Sequence, residues 1–597
     1  MRLQVQAAFR CRRRIAEQPR RPSGLPYNDS STTLSRKMPD TFFITTAIDY
    51  TNSAPHIGHA YEKVLADVIA RYHRLTGDKV FFLTGVDQHG QKVQQSAAKA
   101  GVPPTDFVKG ITNKFIDLWE KLDVKYDAWA ATTDPLHKRV VQAILQRLKD
   151  KEQIYKDKQA GYYSIRQEQF LTDKERRPDG EFGPEWGQVE FREEENYYFR
   201  LEQHKQWLVD LINKRTKEGK PLVIPDFRQV ELRNAVEKLS GDLCISRPKS
   251  RLDWGIELPF DKDFVTYVWF DALTNYISFA GYDPSLTTLN SQPSTFRDKW
   301  PALQVIGKDI LIPAHGIYWL IMLRAIGFSD DQMPQLLVHG WWNLGGAKMS
   351  KSAGNIIDPF VLVEKYGAEA LRYYLISDIV TGKDADFSEE RITRRYNADL
   401  ANSLGNLLNR TLSMIGRYDS GRINITAYDE EALEWLRAHV KDIGEMLYPN
   451  LCANHEFSGM LELILGRVPE EGLSDDLRAR AIADQKLESY RVLGIVPKCN
   501  FLIDFKEPWK LAKDPAHKTG LNAVLYTLAE SLRIIAILIW PVLPKAAHVI
   551  FDQLNWKMEL SGKEERFSLA DTEWGKLPDG HVVGKPVPLF PRIESSG

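Results

Sequence analysis

Cysteine is nearly absent from this chain: Cys11, Cys244, Cys452 and Cys499 are the only four in 597 residues, and no Cys-x-x-Cys pair occurs. That scarcity excludes a disulfide framework and a cysteine-rich zinc site. Long apolar runs are missing as well. The longest, Ile534 to Leu543, is about half of the ~20 residues that a membrane-spanning helix needs, so no membrane partner is expected. Net charge is also lacking, since 79 Lys plus Arg against 80 Asp plus Glu leave −1, a balance that argues neither for nor against nucleic acid. No internal repeat is visible. What the chain has in quantity is core-forming material, 43% hydrophobic and 11% aromatic residues, which excludes a disordered or fibrous chain. The length suggests about three to five domains.

The near-zero charge conceals an asymmetry. Residues 1–37 hold nine Lys or Arg against Glu17 and Asp29, a net +7, and the other 560 residues carry −8. Rich in Arg, Ser and Pro and without apolar periodicity, residues 1–38 read as a disordered leader. Two origins fit: an organellar transit peptide, or an over-extended gene start with Met38 as the working initiator. The second places the protein in the cytoplasm and the first in the mitochondrial matrix.

From Thr41 to Ile48 the β-prone run TFFITTAI predicts a buried parallel strand. A turn through Asn52, Ser53 and Pro55 follows. Val64, Leu65, Val68, Ile69, Tyr72 and Leu75 then mark one face of a helix that Gly77 ends, and Val80 to Val86 read as a second strand. Strand, turn, helix and strand in succession make a βαβ unit, so an α/β fold with a Rossmann-type, doubly wound parallel sheet is expected. Residues 39–150 form its first half. Residues 151–250, with short β-prone pieces and a charged Gly/Pro-bearing stretch, read as an inserted connective domain. The α/β pattern resumes over 251–390 with Phe264–Trp269, Leu303–Ile306, the helix Ile317–Ile326 and the strand Gln335–Val338. Beyond residue 390, leucines at helical spacing predict an all-α bundle over 391–597.

Two motifs carry chemistry. His56-Ile57-Gly58-His59 sits where the first strand hands over to the first helix. A helix N-terminus offers unpaired N–H groups and the positive end of the macrodipole, which suit a phosphate. Gly58 leaves room for a flat ring such as adenine, and the imidazoles can donate to phosphate oxygens as charge builds there. By itself the tetrapeptide fits two ordinary turn histidines equally well. Lys348-Met349-Ser350-Lys351-Ser352 lies between Gly345-Gly346 and Gly354-Asn355. Flanking glycines let a loop move, and the lysines are point charges for a polyphosphate; the bland reading is a basic surface loop. Together in one α/β chain, the two motifs are far more specific than either alone.

Both motifs resemble the signatures of class I aminoacyl-tRNA synthetases, and in finer detail those of methionyl-tRNA synthetases, from about Thr41 to the C-terminus. Ala47-Ile48-Asp49-Tyr50-Thr51-Asn52, Val86-Asp87-Gln88-His89-Gly90, Tyr267-Val268-Trp269-Phe270-Asp271-Ala272, and Gly307-Lys308-Asp309-Ile310 followed by His315 are similar to further signatures. The resemblance implies ATP-dependent activation of methionine and its transfer to tRNA(Met), initiator tRNA included, with Mg²⁺ on the phosphates. It implies an ATP site of His56, Gly58, His59, Lys348, Ser350 and Lys351, with His56, His59 and Lys351 catalytic. It also implies a methionine pocket of Ala47, Ile48, Tyr50, Trp269, Ala272, Leu273, Tyr276 and His315, with Asp87 on the α-ammonium group. Aromatic walls suit a polarizable thioether. Without the other motifs, Trp269 and Tyr276 would read as core packing.

Two departures stand out. One extra residue separates Lys308-Asp309 from His315. No cysteine lies between Cys11 and Cys244, where many relatives hold zinc in the inserted domain, so no structural zinc is expected and the chain resembles the metal-free branch. In the helical part, Asn406 and Arg410 lie four apart on one helical face, and Trp509 sits in Lys-Glu-Pro-Trp-Lys. The resemblance implies that these three read the anticodon, and an amide, a guanidinium and an indole suit splayed single-stranded bases. The alternatives are a polar helix face for Asn406 and a bundle anchor for Trp509. Since the chain stops soon after the bundle, without the further tRNA-binding domain of some dimeric relatives, a monomer is expected.

Overall fold

A β-prone run of aromatic and β-branched residues without charge is the pattern of a strand buried on both faces, and the run after Thr41 forms β1, Phe42–Thr46. The computed structural model describes residues 41–593 apart from 165–168, 172, 178, 287, 350–355, 426–430, 467–493 and 557–566, all within the unit Pro39–Gly597. After β1 come β2 (Asp49–Tyr50), helix α1 (Ile57–Leu75), β3 (Val80–Asp87), α2 (Pro104–Lys121), β4 (Ala128–Ala131) and α3 (Pro135–Asp150). A long antiparallel pair follows, β5 (Ile154–Ser164) and β7 (Val189–Phe199), flanked by β6 (Gln169–Leu171) and β9 (Leu243–Cys244) in one four-stranded sheet. Between β7 and β9 lie α4 (Lys205–Lys217), β8 (Val223–Ile224) and α5 (Asp226–Glu237).

The chain then makes a small antiparallel sheet of β10 (Ser246–Pro248), β11 (Glu257–Leu258) and β12 (Asp261–Thr266) before α6 (Val268–Ser278). β13 (Leu303–Gly307) and β14 (Gln335–His339) return to the main sheet, whose order is β2-β3-β1-β13-β14-β8 with β4 also on β3, every pair parallel. From β1 the chain builds outward through β3 on one side, and β13 and β14 occupy the other. The switch point therefore falls between β1 and β13, and the crevice beyond their carboxyl ends is where such sheets bind ligands.

Several expectations are corrected. Phe264–Trp269 is not one strand. β12 ends at Thr266 in the antiparallel sheet, and Trp269 lies in α6; a short aromatic and β-branched run reads alike as strand or buried helix. The stretch 151–250 is not wholly separate from the core, because β8 pairs with β14 at the edge of the parallel sheet. Helix α1 is not apolar on one face only. Tyr61 through Tyr72 are all buried, charged residues included, because the helix runs between the sheet, α2 and α7 (Ala368–Ser377). The helix expected over Ile317–Ile326 begins earlier, as a wide π-helical turn over Leu311–Trp319 that continues as an α-helix to Ile326.

The α-helical region includes α8 (Asn406–Tyr418), α9 (Glu431–Asp442), α10 (Phe457–Leu465), α11 (Ile495–Lys506), α12 (Pro508–Leu511), α13 (Lys518–Ile539) and α14 (Pro544–Gln553). Helix α13 is long and apolar enough to cross a membrane, yet its apolar stretch is wholly buried against α8, α9, α10, α11 and α14. The described residues after Gln553 contain no α-helix, which corrects a bundle extending to residue 597. Pro578, Pro586, Pro588 and Pro591 deny that segment the N–H groups a helix needs. It is pinned instead by a buried ion pair. The Glu530 carboxylate accepts from the N–H groups of Gly575, Lys576 and Leu577, and Arg533 donates to the carbonyls of Asp571 and Glu573.

Candidate active site

At the switch point, thirteen of the residues singled out from the sequence line one cavity of about 520 Å³: Ala47, Ile48, Tyr50, His56, Gly58, His59, Asp87, Trp269, Ala272, Leu273, Tyr276, His315 and Lys348. That size suits a small ligand plus a nucleotide. Ser350 and Lys351 lie outside the described residues. β1 delivers Ala47 and Ile48, β3 ends on Asp87, and α6 supplies Trp269, Ala272, Leu273 and Tyr276.

The two histidines of α1 cap their own helix. His56 is the N-cap; its Nδ1 accepts from the Gly58 N–H at 3.1 Å, while His59 Nδ1 accepts from the His56 N–H at 3.0 Å. This is the reciprocal arrangement of a capping box, made with imidazoles in place of a hydroxyl and a carboxylate. Its chemical consequence is a fixed tautomer. With both Nδ1 atoms accepting, the proton of each neutral ring sits on Nε2, where it can be donated to a ligand. The rings stack with centroids 3.8 Å apart. Gly58 is required by this cap as well as by any ring lying on the backbone, because a Cβ there would come within 2.9 Å of the His56 imidazole.

The opposite wall is aromatic. His315 Nδ1 lies 2.9 Å from the Ile310 carbonyl and Nε2 lies 2.8 Å from the Tyr276 hydroxyl. A carbonyl only accepts, so Nδ1 carries the proton and Tyr276 donates to Nε2. Burial brings the His315 pKa down to about 4, so the ring is neutral. The N–H of His315 also bonds back to Ile310, five residues earlier. A turn of this kind takes up one more residue than an α-helical turn, and so carries the extra residue between Asp309 and His315 while keeping the imidazole on the cavity wall. Trp269 approaches His315 edge-on at 6.3 Å. Tyr50 also lines the cavity, with its hydroxyl beside Gly90, where a Cβ would meet it at 2.6 Å.

Charge is placed unevenly around the cavity. Burial and the negative charge of Asp271 push the Asp87 carboxyl well above the ordinary range. Lys348 at the mouth sits 3.6 Å from the ring centre of Trp341, which also receives Lys308 at 3.9 Å. Trp341 was not evident from the sequence, and neither was the ion cluster behind the pocket. There the fully buried Lys63 donates to the Ala47 carbonyl at 2.9 Å, to Asp49 at 2.7 Å and to Glu62 at 2.8 Å. Glu62 in turn meets His339 at 3.1 Å. Burial pushes Asp49 up to about 7 against the pull of Lys63. Lys63 is thus the ion-pair partner of Asp49. Residue type alone gives no signal for this cluster, because charged residues on a helix read as a solvated face until burial requires that they pair.

The anticodon candidates lie in the helical region. Asn406 is exposed at the start of α8, and Arg410 one turn on is paired with Asp504 of α11 at 2.7 Å. Trp509 follows on α12 and is 37% exposed. Asp504 thus ties Arg410 to the helix that leads to Trp509. Among the described residues no group of three His, Cys, Asp or Glu is arranged to hold a metal ion.

Comparison with known proteins places the chain and its fold. A family model described as tRNA synthetases class I (M) matches residues 42–179 and 186–412. The methionine–tRNA ligase of Lactococcus lactis is 36% identical over 570 residues, covering 93% of this chain and 78% of that protein. That of Bacillus subtilis is 37% identical over 574 residues, with the same coverage. The structure of Mycobacterium tuberculosis methionyl-tRNA synthetase in complex with methionyl-adenylate superposes with a TM-score of 0.79 at 34% identity, over 93% of this chain and all of that one.

Proposed function

Because the chain belongs to the methionyl group of the class I tRNA synthetases, we propose that the switch-point cavity is its aminoacylation site. The enzyme activates methionine with ATP to methionyl-adenylate and transfers the methionyl group to tRNA. One observation carries the assignment of the cavity: the self-capped histidines of α1 and the aromatic His315–Tyr276 wall face one space at the carboxyl ends of the parallel strands.

In this reading methionine's side chain lies against Trp269, Tyr276 and His315, and its ammonium group meets Asp87. The methionine carboxylate oxygen attacks the α-phosphorus in line; the bond from that phosphorus to the bridging oxygen breaks, and pyrophosphate leaves. The nucleophile is already ionised, so no general base is needed. The Nε2–H groups of His56 and His59 donate to the phosphate oxygens as negative charge gathers there, and the N-terminus of α1 adds its dipole. Lys348 and Lys351 of the Lys-Met-Ser-Lys-Ser signature neutralise the leaving pyrophosphate. Mg²⁺ bound with ATP would supply further charge neutralisation on the phosphates. The methionyl group then passes to the terminal adenosine of tRNA(Met), initiator tRNA included, and Asn406, Arg410 and Trp509 read the anticodon.

Three further points belong to the same reading. The division is a catalytic domain over 39–150 and 251–390, interrupted by an insert, then a helical anticodon-binding region, with β8 assigned to the catalytic sheet. The enzyme acts as a monomer, which light scattering of the full-length protein tests. It works in the cytoplasm, starting at Met38, and N-terminal sequencing of the native protein distinguishes this from a cleaved mitochondrial leader. ATP–pyrophosphate exchange with each of the twenty amino acids tests the substrate: methionine should far exceed all others, and leucine performing equally would defeat the assignment.

A further inference from the structure

Asp87 is a buried carboxylate without a cation. It is 6% exposed on the cavity wall, and its Oδ1 accepts from the His89 N–H at 3.3 Å and from the Thr132 hydroxyl at 3.4 Å. Among the described residues no Lys, Arg or His side chain pairs with it. A second carboxylate lies behind it. Asp271, 1% exposed, has both oxygens occupied: Oδ2 by His89 Nδ1 at 2.7 Å and Oδ1 by His137 Nε2 at 2.8 Å. His137 Nδ1 in turn meets the Ser278 hydroxyl at 2.8 Å. Burial alone would push Asp271 up, and the two imidazoles bring it below the usual carboxylate range.

His89 joins the two acids physically, with its backbone N–H on Asp87 and its ring on Asp271. Its own backbone is held from both sides by Trp254, whose indole N–H donates to the Gln88 carbonyl at 2.6 Å and whose carbonyl accepts from the Gly90 N–H at 3.1 Å. Asp271 is therefore saturated by its histidines and unavailable to a ligand, yet its fixed charge bears on Asp87. Two anions so close in a buried pocket are costly unless a cation joins them. Asp271 has both oxygens taken by imidazoles, whereas Asp87 has no cationic side chain on it among the described residues, so the cation that joins the pair comes from the ligand.

We propose that His89, Asp271 and His137 are positioning residues that make Asp87 discriminate for an α-ammonium group, so that amino acid is separated from its des-amino analogue by this relay. The inference rests on the reading of Asp87 as the ammonium acceptor. It assigns the selectivity to groups that touch no substrate.

The test uses the full-length enzyme in methionine-dependent pyrophosphate exchange, with 4-(methylthio)butanoate, methionine without its amino group, as a competitive inhibitor. Asp271→Asn keeps the shape and removes the charge. The methionine KM should rise at least tenfold, with kcat and the inhibitor's Ki each within about threefold of wild type. Ser278→Ala, which alters only the far end of the relay, should shift the same ratio in the same direction by a smaller factor and remains informative if Asp271→Asn does not fold. KM and Ki rising together would mean a merely structural role, and an unchanged ratio in both variants would equally overturn the proposal. Asp87→Asn separates the two claims. If it retains full discrimination, the ammonium-acceptor reading is wrong; if it loses discrimination while Asp271→Asn keeps it, the acceptor stands and the relay falls.

Discussion

The guanidinium of Arg372 lies 2.7 Å from the carboxylate of Asp67, and neither side chain has any exposed surface. Asp67 is in the middle of α1, the helix whose N-terminus carries His56 and His59. Arg372 also donates to the carbonyls of Pro541 and Val542, just beyond α13, and to that of Leu122, just beyond α2. Asp67 completes its set with Arg71 at 2.8 Å and the Lys125 N–H at 2.9 Å. One arginine thus fastens α1 to the bundle. Removing one partner strands a buried charge, so Arg372→Met should cost about 3–5 kcal/mol of stability, read from chemical denaturation. Arg372→Lys, which cannot make four directed bonds, should fall between wild type and Arg372→Met.

Two glycines give opposite expectations for the same substitution. In Gly58→Ala the new methyl would stand 2.9 Å from the His56 ring, so the ring must swing out of its cap. Adenylate formation should fall by about 10²-fold, a loss typical of one misplaced transition-state donor. Gly110, exposed in the middle of α2, has nothing within 4 Å of a Cβ. Gly110→Ala should raise stability by about 0.8–1 kcal/mol through helix propensity alone, with exchange activity unchanged. Equal effects at the two sites would refute the capping account.

His315 makes stability depend on pH with a definite sign. Its folded pKa of about 4 lies below the ordinary 6.5, so between those values the unfolded chain holds the extra proton. Stability from this group is complete above about pH 6.5 and declines as pH falls toward 4, by about 3 kcal/mol in all for a shift of this size. Unfolding of His315→Gln compared with wild type at pH 7 and pH 4.5 should show a shallower decline in the variant. Parallel declines would mean that His315 is not held neutral by burial.

Trp509 offers an exposed indole on a short helix tied through Asp504 to Arg410. Trp509→Ala should weaken tRNA charging by about 1–3 kcal/mol, the worth of one base stacked on an aromatic ring, with pyrophosphate exchange unaltered. Aminoacylation at wild-type rates would remove Trp509 from the anticodon surface.

The parts of this molecule that could be read from the sequence are those written in consecutive residues. The β1–α1–β3 unit, His56–His59 and the Lys348 loop each lie within a short stretch, and their chemistry follows from residue type and local geometry. The rest depends on partners far apart in the chain. Glu62 and His339, or His89 and Asp271, have no local pattern that pairs them. The same limit explains α1: Glu62, Lys63, Asp67 and Arg71 look like a solvated face until the surrounding elements are assembled, and only then become buried ion pairs. The end of the expected strand Phe264–Trp269 failed for another reason: Val268 and Trp269 open a helix, and so short an apolar run carries no period that separates strand from helix.

The most direct test is the rate of methionyl-adenylate formation by a His56→Asn protein, measured by rapid quench at saturating methionine and ATP. Asparagine is a good N-cap and its side-chain oxygen can accept from the Gly58 N–H, but it lacks the outward Nε2–H group. The methionine KM should stay within a few-fold of wild type while the rate of the chemical step falls by about 10²–10³. An unchanged rate, or a loss confined to methionine KM, would contradict a site in which the self-capped histidines act on the phosphates and the far wall holds the amino acid.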